Sequence, residues 1–236
     1  MRILKGNKMA DNLFVKDHDV VIPGEELAEG IDYLPAGKAF RDGDKIFAST
    51  IGLASVKSRV IKIIPLAGKY MPRRGDVVIA KVTGIGHSGW TLDINSPYMA
   101  DLNIGEASSE YIDTNRHAMS EYFDIDDYVL CEVITISDAK FVKLTAKFRP
   151  YRRLSPGNII EVSPTKIPRI IGKQGSMINT IKDYSKCEIS VGQNGWIWIS
   201  GEPEQQARVA RVIKMIEKEA HKQGLTDRVK NMMEGK

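Results

Sequence analysis

The stretch Ile170-Ile171-Gly172-Lys173-Gln174-Gly175-Ser176-Met177-Ile178 decides how the last third of this 236-residue chain folds. An apolar pair stops at a glycine, two polar residues follow, and a second glycine leads into a run over 176–184 with Met177, Ile178 and Ile181 on one helical face. Glycines let backbone approach an anion closely, where a Cβ would intervene. A helix that starts just after the second glycine directs free N–H groups at such an anion. Working outward, 167–171 reads as a short helix and 158–162 as a strand, entered through Pro150 and Pro156-Gly157. On the other side, 187–191 and 196–199 read as strands joined by a turn at Gly192-Gln193-Asn194-Gly195. Pro203 then opens a helix. Its apolar stripe holds Val209, Val212, Ile213 and Ile216, and its basic face Arg208, Arg211, Lys214 and Lys218. Residues 224–236 read as a polar tail that frays.

Charge is unevenly spread. The net +4 divides into +2 over residues 1–70, −4 over 71–149 and +6 over 150–236. The basic excess therefore coincides with the two-glycine loop, where an electrostatic footprint for nucleic acid is sought first. Two distant cysteines, Cys131 and Cys187, make neither a disulfide framework nor a zinc set. No apolar run is long enough for a bilayer, and the N-terminus lacks the apolar stretch of a signal peptide, so no membrane association and a cytoplasmic location are expected.

The first two thirds read as β structure. Residues 1–69 carry short β-branched runs at 20–22 and 60–64, punctuated by turn signals at Pro23-Gly24, Pro35-Ala36-Gly37 and Asp42-Gly43. In 70–148, strands are expected at 76–83, 90–94, 128–134 and 141–145, with a long polar excursion between. About five short strands with one excursion suit a small Greek-key barrel of the OB type. The expected fold class is multidomain and mainly β, with an α+β domain at 149–223.

The core Ile-Gly-Lys-Gln-Gly-Ser-Met-Ile at 171–178, in its order of strands and helices, resembles a KH domain. The resemblance implies that the loop clamps the backbone of single-stranded RNA, about four nucleotides of it. It implies RNA contacts from Arg169, Ile170, Ile171, Gly172, Lys173, Gln174, Gly175, Ser176, Ile178 and Lys182, with Ile170, Ile171 and Ile178 in the apolar floor beneath the bases. The middle segment, through Gly75-Asp76-Val77-Val78-Ile79-Ala80-Lys81-Val82, resembles an S1 domain, an RNA-binding barrel of the OB type. Such barrels hold strands by aromatic stacking flanked by cations. Candidate platforms are Trp90 and Tyr98, and candidate phosphate contacts are Lys81, His87, Arg116, His117 and Lys143. Trp90 reads equally well as a core residue.

An N-terminal β domain, an S1 domain and a KH domain in that order are similar to the S1/KH cap subunits of the archaeal exosome. Val20-Val21-Ile22-Pro23-Gly24-Glu25 resembles a signature near the start of those proteins, and Gly52-Leu53-Ala54-Ser55 sits where they carry a second. The resemblance implies partner contacts through Val21, Pro23, Gly24, Leu53 and Ala54. It also implies three copies per complex, seated on a ring of RNase-PH-like subunits into which RNA is threaded 3′ end first.

Catalysis is not expected. Polynucleotide phosphorylase carries the same two RNA modules, but KH precedes S1 there and large catalytic domains come first. No nucleophile–base arrangement, metal cluster or Walker-type loop is evident, and the four histidines are scattered. Asp124, Asp126 and Asp127 read as a solvated acidic loop rather than a cation site. No cofactor and no metal are expected. The remaining alternative is a stand-alone S1/KH RNA chaperone or ribosome-associated factor.

Overall fold

The computed structural model describes residues 12–110, 112, 118–148, 150–154, 156–220 and 224–234. The chain divides into two compact units, 1–68 and 69–236.

The first unit holds β1 (Asn12–Leu13), β2 (Val20–Val21), β3 (Glu26–Glu29), β4 (Leu34–Gly37), β5 (Ala39–Asp42), β6 (Lys45–Ala48), β7 (Gly52–Lys57) and β8 (Val60–Pro65). They form two four-stranded sheets, ordered β1-β3-β6-β5 and β2-β7-β8-β4. Both contribute to one core that includes Val21, Leu27, Ile46, Ala54, Ile61 and Ile63. The period of two decides each side chain's face. In β8, Ile61 and Ile63 are buried while Lys62 and Ile64 are exposed. Val20 pairs with Leu53, and Leu53 with Ile64, so these three lie in one row facing away from the core.

The second unit opens with Tyr70, whose hydroxyl donates to Asp76 Oδ2 at 2.6 Å while the Arg73 amide donates to the same oxygen at 3.0 Å. Burial, then this hydrogen bond, pushes the Tyr70 hydroxyl's pKa upward. Next come β9 (Val77–Ile85), β10 (Gly89–Asp93), β11 (Ala100–Asn103), the short helices α1 (Ile104–Ala107) and α2 (Met119–Tyr122), β12 (Tyr128–Ile136) and β13 (Val142–Thr145). The order β13-β11-β10-β9-β12, with β12 pairing back onto β13, closes a five-stranded barrel. The expected boundary at 148 is too early, because β14 (Arg152–Leu154) extends this sheet along β12.

The last part contains β15 (Asn158–Glu161), α3 (Ile167–Ile171), α4 (Ser176–Ser185), β16 (Glu188–Val191), β17 (Trp196–Ser200), α5 (Pro203–Glu219) and α6 (Leu225–Glu234). Its sheet is ordered β15-β17-β16. The inner face, with Ile189, Ile197 and Ile199, packs with Ile170, Ile181, Val209, Val212 and Ile213 in one core. The tail expectation is corrected here. Leu225, Val229 and Met233 are buried in this core, because their i, i+4, i+8 spacing gives α6 an apolar stripe against the domain. Each such burial contributes about 1.5–3 kcal/mol. Deleting residues 224–236 is therefore expected to lower the Tm of this domain by several degrees, measured by calorimetry. An unchanged Tm would mean that α6 adds nothing.

The outer face of the same sheet meets the barrel. Trp198 packs with Ile79, Leu130 and Leu154. The turn between β16 and β17 reaches furthest. Asn194, fully buried, donates through Nδ2 to the carbonyls of Ile79 (2.7 Å) and Ile94 (3.0 Å) and accepts from the Ile79 amide at 3.3 Å. The Gln193 amide donates to Val77 O at 2.8 Å. Gly192 lets the turn come this close, since a Cβ there would stand 2.8 Å from Ile79 N. The barrel and the α+β domain thus share both an apolar seam and a satisfied polar lock.

Candidate nucleic-acid interface

The loop at 172–175 is shaped by two left-handed glycines. Gly172 has φ 76° and Gly175 φ 77°, with Gln174 also left-handed at φ 53°. A Cβ on Gly172 would stand 2.7 Å from Met177 Cβ and 2.8 Å from Met177 N. The first glycine is thus required for the loop to fold back onto α4, besides any need to approach phosphate. Gly172 N donates to Pro168 O at 3.0 Å, ending α3. One 3₁₀ turn over Lys173–Gly175 follows, its Lys173 carbonyl accepting from the Ser176 amide, and α4 then starts at Ser176 with no side-chain cap. Its first turn keeps backbone donors and the positive end of the helix dipole turned outward.

Lys173, Gln174 and Ser176 border this helix end, all three exposed, and Arg169 is exposed on the last turn of α3. Lys182 is half-buried on the last turn of α4. Asn179 was missed in the sequence. It is exposed one turn into α4, with its Nδ2 only 3.5 Å from where a Cβ on Gly175 would sit. The expected apolar floor is largely corrected. Ile170 is fully buried and Ile178 only 7% exposed, because both point into the domain core. Ile171 alone is half-exposed.

The barrel also corrects an expectation. Trp90 is no platform: it is 2% exposed, donates through Nε1 to Phe123 O at 2.8 Å, and stands edge-on to the Phe123 ring. It shares the inward face of β10 with Leu92. Tyr98 is half-buried against the barrel core. Lys81 forms an ion pair with Asp126 at 2.7 Å. The hydrogen bond to that carboxylate raises the Lys81 pKa, keeping the ammonium charged. The rest of the acidic loop is engaged as well, with Asp127 pairing with Arg153 and accepting from the Asp124 amide. His87 and Lys143 are exposed, on the β9–β10 turn and on β13. Lys81 and Lys143 stand on strands that are not neighbours, so they make no joint patch. Arg116 and His117 lie outside the described residues.

In the first unit two expected partner contacts fall inside. Val21 and Ala54 are fully buried, one register step from the outward face. Leu53 is half-exposed, while Pro23 and Gly24 are exposed. The outward row instead adds Val20 and Ile64, 60% and 46% exposed, which the expectation missed.

Comparison with known proteins agrees with this architecture segment by segment. Residues 18–67 match the family model "Exosome RNA binding protein RRP4 N-terminal domain", residues 69–135 match "RRP4, S1 domain", and residues 157–205 match "KH domain". The exosome complex component Rrp4 of Methanothermobacter thermautotrophicus is 43% identical over 94% of this chain and 70% of its own length. That of Methanothermus fervidus is 42% identical, over 94% of this chain and 97% of its own. A solved chain described as an exosome complex RNA-binding protein superposes with a TM-score of 0.65 at 32% identity, covering 71% of this chain and 97% of that one. Three matched domains in the same order, and identity above 40% along nearly the whole chain, place this protein in the archaeal exosome Rrp4 family.

Proposed function

We propose that this chain is a non-catalytic RNA-binding cap subunit of an exosome. It captures single-stranded RNA and leads the 3′ end into a ring of RNase-PH-like subunits for 3′-to-5′ degradation. The observation that carries the reading is the 172–175 loop. An uncapped helix end, two left-handed glycines and an exposed lysine lie together there in one four-residue loop, the combination that suits a phosphate. The barrel fixed to this domain offers a second, weaker hold on the same strand. Two modules on one strand add through effective concentration, so an acidic barrel need not bind tightly alone.

The outward row Val20–Leu53–Ile64 is the docking face for the ring, with three copies seated per ring. An apolar row on a sheet face, with Val20 and Ile64 exposed among the described residues, is what a protein contact covers. Leu53→Asp is expected to abolish co-purification with the ring subunits while leaving the Tm and RNA affinity within error. Val21→Asp should instead unfold the domain, since Val21 is fully buried. Wild-type chain that fails to co-purify with the ring would favour a stand-alone RNA-binding factor.

A further inference from the structure

The first unit carries a second outward face, on the sheet ordered β1-β3-β6-β5. Ile46 and Ala48 of β6 point into the core, so Lys45 and Phe47, which alternate with them, point out. Register extends that face across three strands. Phe47 pairs with Phe40 on β5 and with Glu26 on β3, and Lys45 pairs with Asp42 and Glu29 in the same order. Two phenyl rings, three carboxylates and one ammonium thus share one face, with a net charge of −2 in a chain of net +4. Both sheets bury their inner faces in one core, so this face looks away from the Val20–Leu53–Ile64 row.

Lys45 is already engaged, its ammonium 2.9 Å from Glu26 Oε2. Glu29 and Asp42 are exposed and make no ion pair among the described residues. Phe40 is 46% exposed on the edge strand β5, and its ring stands 5.9 Å from that of Phe47, tilted by 32°. Two rings are too little apolar surface for a purely hydrophobic contact, and the carboxylates around them repel phosphate. A guanidinium answers both features. Its plane stacks on a phenyl ring, and its fork of donors grips a carboxylate through two hydrogen bonds, which a lysine ammonium does not do. We infer that Phe40, Phe47, Glu29 and Asp42 form a docking face for an arginine-bearing segment of a partner protein. A chain seated on the ring through its other sheet keeps this face open, and so can bring a second protein to the complex. Docking there needs neither RNA nor the ring.

The probes are two labelled peptides, Gly-Arg-Gly-Arg-Gly-Arg-Gly and its lysine counterpart, titrated into RNA-free full chain at low salt. Fluorescence anisotropy reads the affinity and amide chemical shifts read the site. The arginine peptide should bind about threefold tighter than the lysine one, with shifts at β3, β5 and β6. Phe40→Ser should weaken the arginine peptide about threefold, the scale of one exposed cation–π contact, and remove its advantage over lysine. Glu29→Gln with Asp42→Asn should weaken both peptides about fivefold, the scale of two exposed ion pairs. Neither variant should change affinity for single-stranded RNA or co-purification with the ring. No binding, equal affinity for the two peptides, or shifts confined to the acidic 71–149 segment would overturn the docking face. A Phe40→Ser chain that no longer joins the ring would make the face a ring contact and overturn it equally. Wild-type chain that fails to join the ring, yet binds the arginine peptide at β3, β5 and β6, would sink the cap reading and leave the docking face standing.

Discussion

The double substitution Lys173→Asp with Gln174→Asp is expected to lower affinity for a short single-stranded RNA by about tenfold to a hundredfold at low salt. A charge-assisted hydrogen bond contributes about 1.5–3 kcal/mol, and about 1.4 kcal/mol is tenfold in affinity. The substitution removes the Lys173 ammonium and puts two carboxylates beside the uncapped start of α4. It should leave the fold intact, because both side chains are exposed and the shape-giving glycines are untouched. Asp also tolerates the left-handed conformation of position 174 better than most residues do. The slope of log affinity against log salt should become shallower by about 0.7 for each phosphate that is no longer neutralised. Unchanged affinity at low salt would remove the loop from the RNA site.

Asn194→Asp is the second large expected effect, and it acts on the joint between barrel and KH domain. The amide nitrogen that now donates to Ile79 O and Ile94 O, at 2.7 and 3.0 Å, would become an oxygen facing two carbonyl oxygens. At neutral pH this leaves a buried, unpaired charge, at a cost of about 3–5 kcal/mol. The sign of the pH dependence follows from the same geometry. Burial beside carbonyls raises the folded-state pKa of the new carboxyl above its unfolded value of about 3.9. The carboxyl is accommodated below that value, where it is protonated in both states and can donate one hydrogen bond. As pH rises above the unfolded value, the unfolded chain ionises while the folded one stays protonated, and stability falls until pH passes the raised folded pKa. Calorimetry at pH 7 should show the Tm of the 69–236 unit falling by several degrees and its transition separating into two. The loss should shrink toward pH 4. A single transition at the wild-type Tm would mean that the seam around Trp198 holds the domains without the polar lock.

Much of the fold was legible because it rests on local rules. The strands at 76–83, 128–134 and 196–199 and the helix at 176–184 follow from alternation and helical spacing, and the structure has strands and a helix there. Faces were harder to read. β2 is only two residues long, too short for its own alternation to show that Val21 is inside and Val20 outside. That had to come from pairing with β7, which only the assembled sheet specifies. Trp90 was readable, since Trp90, Leu92 and Ile94 alternate with Thr91 and Asp93, and the buried set follows that parity. α6 was readable too, from the spacing of Leu225, Val229 and Met233, but the polar residues between them masked it. The role of Asn194 was not legible. Its partners at Ile79 and Ile94 lie 115 and 100 residues away, and a Gly-Gln-Asn-Gly turn otherwise reads as an ordinary hairpin connection.

The proposed function joins RNA capture to a degradative ring in one chain. Native mass spectrometry of the full chain, mixed with RNase-PH-like ring subunits and a short single-stranded RNA, tests this most directly. The predicted result is a ring carrying three copies of the chain with bound RNA. Leu53→Asp should leave the ring bare, and Lys173→Asp with Gln174→Asp should leave a capped ring with much less RNA. A ring that stays bare with the wild-type chain, while that chain binds RNA by itself, would contradict the claim.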